Sequence, residues 1–186
     1  MAPRQKITKE MILNGAVQLT EQYGADYLSA KTLAKQLNCS TQPLFWYYDS
    51  LGDIKREVEE YAEQLFAHYL RQNIADMSAY KAIGINYVRF AKEHKQLFRL
   101  LLMSNKVGQD ILNSNPNLPF ILETLQKEHS LTDAVAGEIV RQMWIFSHGI
   151  ATMFATGTAE IPEEEVSRMI SSIFRGLLIY YSDENK

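Results

Sequence analysis

Apolar residues recur at steps of three and four along most of this chain, the spacing that places them on one face of an α-helix. In the first such stretch the apolar positions are Ile12, Ala16, Leu19 and Tyr23. Thr8 is placed to cap this helix at its start, and Gly24 is placed to end it. Because no stretch has the alternating pattern of a β-strand, the sequence predicts an all-α fold of about nine helices.

The sequence pattern over residues 29–48 predicts two short helices joined by a tight turn. Ser29 can cap the first helix. The apolar face of that helix consists of Ala30, Leu33, Ala34 and Leu37. Asn38 tolerates the left-handed conformation that the turn requires. Ser40 can cap the second helix, and Pro43 fits its first turn because no backbone hydrogen bond is lost there. This arrangement predicts a helix-turn-helix.

A longer helix is predicted to begin after Ser50, which can form a capping box with Asp53. The apolar stripe of this helix consists of Leu51, Ile54, Val58, Tyr61, Leu65 and Tyr69. The helix is expected to end at about Asn73. Since it begins beside the helix-turn-helix and continues into the rest of the chain, it can connect the two mechanically.

The remainder of the chain predicts five further helices. Two of them, from 78 to about 91 and from 97 to 103, are apolar enough to be buried. Residues 104–119 are rich in Asn, Ser and Pro, so we expect a loop with one short helical turn near 109–112. The other three helices are expected from Pro119 to about Lys127, from a capping box at Ser130 and Asp133 to Thr156, and from Glu163 onwards.

The final predicted helix has an apolar surface wider than a single stripe. Its apolar residues are Val166, Met169, Ile170, Ile173, Phe174, Leu177, Leu178 and Tyr181. Such a helix must be covered on two sides, and a second copy of the chain is the economical candidate for the outer side. Gly149 and Gly176 would permit close approach of backbones there. The predicted homodimer interface consists of Trp144, Gly149, Met153, Met169, Ile173, Gly176, Leu177 and Tyr180.

Composition narrows the class of protein. An apolar share of 46% with 22% charged residues is ordinary for a protein that buries a core. No apolar run approaches the roughly 20 residues of a membrane span, and the first nine residues are too polar for a signal peptide, so we expect a cytoplasmic protein without membrane contact. The single cysteine, Cys39, excludes an intramolecular disulfide and offers no cluster for zinc. We expect neither a metal nor a cofactor.

The net charge of −3 is distributed unevenly. The first 50 residues hold five Lys and Arg against four acidic residues, for a net charge of +1, and the remaining residues carry −4. This asymmetry has the sign that nucleic-acid binding needs, although it is small. Arg4, Lys6 and Lys9 all precede the first acidic residue, and they are equally consistent with a basic arm and with a solvated, frayed terminus.

Several segments resemble the tetracycline-repressor (TetR) family of bacterial transcription regulators. The segment Leu44-Phe-Trp-Tyr-Tyr48 is similar to the end of the family's recognition helix, and Ser29-Ala-Lys-Thr-Leu-Ala34 is similar to the start of the helix before it. Trp144-Ile-Phe-Ser-His-Gly149, together with residues 87–94 and 97–100, resembles the subgroup whose regulatory domain is named for a Trp, a His and a Gly. The resemblance implies a DNA-binding domain over residues 1–50 and an effector-binding and dimerisation domain over residues 51–186.

The sequence departs from the family pattern at three positions. Leu51 stands where the family usually has a Lys that touches a phosphate, so one backbone contact to DNA is in doubt. Asn38 stands where a Gly is common in the turn, and Leu28 stands where Thr is frequent. The motif tolerates all three.

The predicted DNA-binding residues are Lys31, Thr41, Gln42, Pro43, Phe45 and Tyr47. Five of them lie on the exposed side of the second short helix if Leu44 and Tyr48 point inward. Gln42 can pair with adenine through two hydrogen bonds, and Tyr47 can bond a phosphate oxygen. Lys31 corresponds to a family position that is typically basic and faces DNA. It could neutralise a phosphate or reach a guanine; the alternative is a solvated lysine.

Two residues of the helix-turn-helix have competing interpretations. Trp46 could contact a partner, but we expect it to pack between helices. Cys39 could act as a redox switch beside the reader, since oxidation would add a polar group there, but we expect buried packing.

A predicted effector cavity would be mainly apolar, with a few polar groups. The residues predicted to line it are Phe66, Tyr87, Phe90, Met103, Trp144 and His148. Trp144 and His148 lie one helical turn apart and share a face. Alternatively, His148 satisfies a backbone or carboxyl group inside the core.

The leading functional hypothesis is a homodimeric transcriptional regulator, of the repressor type, that binds a palindromic operator in double-stranded DNA and responds to a largely apolar small-molecule effector. A second hypothesis is a helical small-molecule-binding or scaffold protein that lacks sequence-specific DNA binding, which the weak positive charge and Leu51 favour slightly. An enzyme ranks third. The four histidines have neither metal-ligand nor catalytic-triad spacing, and no Gly-rich phosphate loop is present.

Overall fold

A computed structural model describes residues 7–104 and 115–183. Within these ranges the chain forms eight α-helices and two short 3₁₀ helices. The α-helices are α1 (Lys9–Tyr23), α2 (Ala30–Gln36), α3 (Leu51–Leu70), α4 (Ala79–Glu93), α5 (Lys95–Leu102), α6 (Leu118–Glu128), α7 (Asp133–Thr156) and α8 (Glu163–Asp183). The 3₁₀ helices are Ala25–Tyr27 and Gln42–Trp46. The all-α prediction is confirmed. Arg4, Lys6 and the helical turn predicted near 109–112 lie outside the described residues.

The chain divides into two compact units. Unit 1 consists of residues 1–65 and 94–104, and it contains α1, α2, most of α3 and α5. Helix α1 packs against both α2 and α5. The fully buried apolar side chains of this unit include Ile12, Leu33, Leu44, Ile54, Leu97 and Phe98. Burying side chains of this size contributes about 1.5–3 kcal/mol each, so these residues hold unit 1 together.

Unit 2 consists of residues 66–93 and 105–186. Helix α4 is its centre, because it packs against α6, α7 and α8, and α7 also packs against α6 and α8. The largest fully buried side chains here include Leu70, Phe90, Leu125, Ile139 and Ile170. The buried residues of α4 extend from Tyr80 to Ala91. This agrees with the apolar pattern predicted for this stretch.

Helix ends follow local capping chemistry. The hydroxyl Oγ1 of Thr8 accepts a hydrogen bond from the Met11 amide at 3.2 Å, and Ser50 Oγ accepts one from the Asp53 amide at 3.2 Å. Gly157 ends α7 with a φ of 72°, the left-handed conformation that glycine adopts without strain. The predicted start of α1, start of α3 and end of α7 are therefore confirmed.

Three details of the helix predictions were wrong. Helix α7 is capped by Thr132, whose hydroxyl accepts from the Val135 amide, and not by Ser130. Helix α3 ends at Leu70 and not near Asn73. Tyr61 is 38% exposed, whereas Ala62 is 0% exposed and occupies the buried stripe. A stripe defined by large apolar side chains does not predict that a small alanine fills this buried position.

The predicted division of function at residue 50 remains a prediction, since the compact units are defined by packing alone. Among the described residues, no helix combines the length and the apolar character that crossing a bilayer requires.

Candidate nucleic-acid interface and ligand cavity

Helix α2 is held at both ends by hydrogen bonds within a few residues. Ser29 Oγ accepts from the Thr32 amide at 3.1 Å, while Thr32 Oγ1 accepts from the Ser29 amide at 2.9 Å, which makes a reciprocal capping box. At the other end Asn38 has a φ of 51°. The amide of Cys39 donates to the Ala34 carbonyl at 3.0 Å, closing a Schellman-type turn. The predicted cap and the predicted left-handed asparagine are confirmed.

The second helix of the motif is a single 3₁₀ turn of five residues, Gln42–Trp46, shorter than we expected. The predicted cap at Ser40 is wrong: the residue at the N-cap is Thr41, and it makes no capping hydrogen bond through its side chain. Thr41 already has helical backbone angles, φ −70° and ψ −22°, so the extended conformation of a capping residue is missing. Pro43 lies in the first turn, as predicted.

Two buried side chains anchor this turn. Leu44 is 0% exposed and Tyr48 is 6% exposed, and both belong to the core of unit 1. Side chains three residues apart eclipse one another in a 3₁₀ helix, so an inward Leu44 leaves the two residues after it on the outside. Trp46 is accordingly 64% exposed, and the prediction that it packs between helices is wrong.

The residues predicted to contact DNA lie on the outward side of the motif. Lys31, Thr41, Gln42, Phe45 and Tyr47 are exposed, and Pro43 is half-buried. The Tyr47 hydroxyl donates a hydrogen bond to the Ile7 carbonyl at 3.1 Å. Its oxygen can still accept a hydrogen bond, but its own proton is committed within the protein, which weakens the case for a phosphate contact.

Cys39 is half-buried and packs against the core of unit 1. This position favours the packing interpretation over a redox switch.

The cations near the motif differ in their pairing. Lys9 forms an ion pair with Glu57 at 3.1 Å, and Arg56 pairs with Asp53. Lys31 is exposed, and in the described ranges no carboxylate pairs with it. A lysine without an internal partner is available to a phosphate at a lower cost, because no existing ion pair has to be broken.

Unit 2 contains a cavity of about 280 Å³ between α4, α6, α7 and α8. Its apolar lining consists of Tyr80, Ile83, Tyr87, Ile121, Val140, Met143, Trp144, Ile170 and Phe174. Its polar lining includes Ser78, Lys81, Asn115, Ser147, Ser171 and Arg175. A mainly apolar cavity with a few polar groups is the usual form of a small-molecule site.

The structure brings only part of the predicted effector set to this cavity. Tyr87 and Trp144 line it. Phe66 and Phe90 instead contact one another in the core in a tilted arrangement, with ring centroids 5.0 Å apart. Met103 lies in unit 1 and is 37% exposed, so it has no part in the cavity.

A small hydrogen-bonded group connects the cavity wall to the interior of α7. The Tyr87 hydroxyl lies 2.9 Å from His148 Nδ1, and the His148 ring stacks on the Trp144 ring at 5.0 Å. Burial raises the pKa of Tyr87, while a hydrogen bond from Trp144 lowers it by a smaller amount. Burial lowers the pKa of His148. Both groups are therefore neutral at pH 7, and the tyrosine proton can be donated to Nδ1. His148 supports the wall through Tyr87 without being a lining residue itself.

The outer faces of α7 and α8 are apolar and exposed. Met153, Ile173 and Tyr180 are 43%, 39% and 55% exposed. Gly149 and Gly176 are also exposed, and an added Cβ at either would meet no atom within 4 Å in the protomer. The remaining predicted interface residues, Trp144, Met169 and Leu177, are half-buried. Ile145 at 59% and Ile179 at 65% extend the same faces.

The described residues include no group of three or more His, Cys, Asp or Glu side chains that could hold a metal ion.

Residues 80–173, about half of the chain, match a family model described as "Tetracyclin repressor-like, C-terminal domain". The chain belongs to the tetracycline-repressor-like family. Members of this family are transcriptional regulators and not enzymes; they bind DNA and small-molecule ligands, and they dimerise. The protein is therefore a ligand-responsive DNA-binding regulator.

Individual relatives of this TetR-like chain cover nearly all of it. An uncharacterised HTH-type transcriptional regulator of Bacillus subtilis (strain 168), YobS, is 22% identical over 185 residues, which is 96% of this chain and 97% of that protein. A TetR-like transcriptional regulator from Rhodococcus sp. RHA1 is 19% identical, with a TM-score of 0.67, over 96% of this chain and 99% of the other. A TetR variant from Acinetobacter baumannii AYE in complex with minocycline is 12% identical, with a TM-score of 0.59, over 97% and 99%. At these identities the two solved structures show the fold.

Sequence reasoning missed several residues of this TetR-like protein. Trp46, Ile145 and Ile179 are exposed although their type favours burial, and only packing reveals this. Lys81 and Arg175 line the cavity. The sequence contained one signal that could have predicted Arg175 as a lining residue. Arg175 follows Phe174 and lies four residues after Ser171, so it is at the edge of the apolar face of its helix.

Proposed function

We propose that this regulator is a homodimeric repressor that reads a palindromic operator with the helix-turn-helix of each copy, and that its operator affinity changes when a largely apolar small molecule occupies the cavity of unit 2. One observation carries the proposal. The 3₁₀ turn is anchored by two buried side chains and presents an amide, a hydroxyl and three aromatic rings to the outside. A stable protein gains nothing from exposing these rings, whereas a DNA groove can contact them.

In the proposed complex the residues have distinct roles. Gln42 pairs with an adenine edge through two hydrogen bonds, and Thr41 and Phe45 contact thymine methyl groups. Lys31 neutralises a phosphate. Trp46, which the sequence pattern assigned to the interior, joins the outward surface and adds apolar contact area.

Two copies of the chain must pair because a palindromic operator is bound by two helix-turn-helix motifs. A palindrome places its half-sites about 34–36 Å apart or a multiple of that distance, so two helix-turn-helix motifs must be held at a fixed separation. The exposed apolar faces of α7 and α8 support their use as the dimer interface. Gly149 and Gly176 lie on these faces, and without side chains they would allow the backbones of two copies to approach closely.

A ligand changes operator affinity if it binds more tightly to a dimer with one distance between the two helix-turn-helix motifs than to a dimer with another distance. Helix α3 supports a mechanical role, since it is a continuous helix of 20 residues that contributes to both compact units. A wrong distance between the two motifs would weaken the contacts to both half-sites at once. A modest geometric change is therefore sufficient to release the operator.

Two finer assignments complete the proposal. The stacking of Trp144 on His148 supports membership of the Trp-His-Gly subgroup, because it gives two of the three name-giving residues a shared structural role. The proposed site of action is the cytoplasm, where the operator is.

Selection of bound sequences from random double-stranded DNA tests this proposal. We expect enrichment of a palindrome, bound by a protein of about twice the 21.4 kDa chain mass. Enrichment of single half-sites would contradict the dimeric mode of reading. Enrichment of no sequence would favour a helical small-molecule-binding protein without specific DNA recognition, a candidate supported by Leu51 in place of a phosphate-contacting lysine.

A further inference from the structure

The polar lining of the unit 2 cavity contains two cations and no carboxylate among the described residues. Lys81 lies on α4 and Arg175 lies on α8. Unit 2 as a whole is rich in acidic side chains, including three consecutive glutamates in the first turn of α8. The lining therefore differs in charge from the rest of unit 2.

These two cations also lack the partners that neighbouring cations have. Lys127, Arg141 and Arg168 each pair with a glutamate on their own helix. Across the described ranges no carboxylate pairs with Lys81 or Arg175. Arg175 uses its Nε to donate to the Ser171 carbonyl at 3.4 Å, and no described group occupies its two terminal nitrogens.

We propose that the cavity binds an amphipathic anion, whose apolar body lies among the buried side chains and whose acidic group, such as a carboxylate, is held by Lys81 and Arg175. This inference rests on the proposed function in one respect, namely that the cavity is the effector site, and it adds the chemical class of the ligand.

Lys81 and Arg175 are carried by neighbouring parts of α4 and α8. The residue before Lys81 and the residue before Arg175 are in ring contact, since the centroids of Tyr80 and Phe174 are 5.0 Å apart. Arg175 is exposed and Lys81 is half-buried, whereas Met143 is buried. A ligand would therefore keep its acidic group partly hydrated while its apolar part leaves water, which avoids the high cost of burying a charge.

Glu128 provides one carboxylate close to the cavity. Glu128 accepts a hydrogen bond from the Tyr80 amide at 3.2 Å, and its second oxygen is buried without a partner in the described structure. It does not belong to the lining. Among the described residues, the lining itself therefore carries two cations and no carboxylate.

The volume limits the size of the ligand. The cavity of about 280 Å³ lies at the lower limit of the roughly 300–1,000 Å³ of typical small-molecule sites, so we expect a ligand at the small end of that range, such as an eight-carbon chain with one head group. Octanoate has this size, and 1-octanol and octylammonium share its chain while differing only in the charge of the head group. The three compounds form a matched series.

Isothermal titration calorimetry of the full-length protein without DNA tests the proposal. We expect octanoate to bind at least tenfold more tightly than 1-octanol, and octylammonium to bind more weakly than either. The proposal is overturned if 1-octanol or octylammonium binds as tightly as octanoate, or if none of the three binds at millimolar concentration.

Charge-removing variants locate the acidic group. In Lys81→Met with Arg175→Met, the preference for octanoate over 1-octanol should fall at least tenfold, while binding of 1-octanol is retained and reports an intact fold. Arg168→Met is the matched control, since Arg168 lies on the same helix outside the cavity, and it should leave the preference unchanged. An unchanged preference in the double variant would contradict the assignment.

The outcome remains separable from the proposed function. Operator binding by the ligand-free protein depends only on the DNA-binding proposal. If octanoate binds with the expected preference but does not change operator affinity, then the ligand class is correct and the assignment of the cavity as effector site is wrong.

Discussion

The two compact units place their aromatic side chains in opposite ways. In unit 1, Phe45, Trp46 and Tyr47 follow one another on the outside of a short turn that is anchored by Leu44. In unit 2, Tyr80 and Tyr87 are buried and line a cavity, with other rings packed behind them. Under the proposed function, the same residue types would contact a large partner in one unit and a small ligand in the other, and the surrounding helix geometry would decide which.

The difference follows from the length of the elements that carry these rings. A 3₁₀ turn of five residues has too little surface to bury consecutive aromatic rings, so only one position in three is directed inward. Helices α4 and α7 of unit 2 are several turns long and each packs against three neighbouring helices, which allows rings on one face to enclose a volume. Four predictions test this contrast.

The largest expected effect concerns Leu44, the buried side chain that anchors the 3₁₀ turn. Leu44→Ala should lower the free energy of unfolding by about 2–5 kcal/mol, because it opens a cavity at a fully buried position. Urea denaturation followed by circular dichroism measures this. The matched control is Gln42→Ala, two residues away and exposed, which should stay within about 0.5 kcal/mol of the parent. A loss below about 1 kcal/mol for Leu44→Ala would show that the turn does not depend on its anchor.

The next prediction concerns the exposed faces of α7 and α8. Met153→Glu combined with Ile173→Glu should weaken dimerisation at least 100-fold, equivalent to about 2.8 kcal/mol, because pairing would desolvate the new charges. Sedimentation equilibrium measures the change in the dissociation constant. Tyr23→Glu, at a residue of unit 1 that is also exposed, serves as the control and should leave dimerisation unaltered. If the double variant remains a dimer, another surface forms the interface.

The third prediction separates base reading from phosphate contact within unit 1. Gln42→Ala should reduce discrimination at one base pair of each half-site by about 1–3 kcal/mol, because the two hydrogen bonds to adenine are lost. Lys31→Ala should weaken binding to all sequences alike and make it less sensitive to salt. Titrations of matched operators at two salt concentrations distinguish these effects. The roles are misassigned if Lys31→Ala changes base preference.

The smallest expected effect is a pH dependence in unit 2. Burial lowers the pKa of His148 below its ordinary value of about 6.5, so the unfolded chain binds a proton more readily than the folded one. Stability from this residue is present above pH 6.5 and is lost as the pH falls toward the lower folded-state pKa. His148→Gln should therefore flatten the fall in unfolding free energy below pH 6.5, measured by denaturation at several pH values.

The control for this prediction is His68→Gln, which replaces an exposed histidine on α3. It should leave the slope of stability against pH as it is in the parent. An equal change in both variants would mean that burial of His148 is not responsible.

Features that depend on a few consecutive residues were predictable from the sequence. The caps at Thr8 and Ser29, the left-handed Asn38 and the terminal Gly157 each involve atoms within five residues of one another, so the local pattern is sufficient. The failures at Ser40 and Ser130 show the limit of this reasoning. In both cases a nearby threonine occupies the N-cap position instead, and residue type alone does not distinguish between two hydroxyl side chains.

Features that depend on distant residues were predicted less well. Tyr87 and Trp144 were predicted to line one cavity, and both lie in the lining of the unit 2 cavity, whereas their role in binding an effector stays a prediction. Phe66 and Phe90 were assigned to the same cavity, yet they fill the core, since apolar periodicity identifies a buried face but not whether a void lies beside it.

The sequence by itself determined the all-α fold, the helix-turn-helix with its inward Leu44 and Tyr48, and the apolar α8, because periodicity and capping are local properties of the chain. Only the tertiary structure decided that Trp46 is exposed, that the second helix is a single 3₁₀ turn, and that a cavity opens between four helices with Lys81 and Arg175 in its lining. The physical reason is that exposure and empty volume are properties of how whole helices pack, and residues far apart in sequence contribute to both.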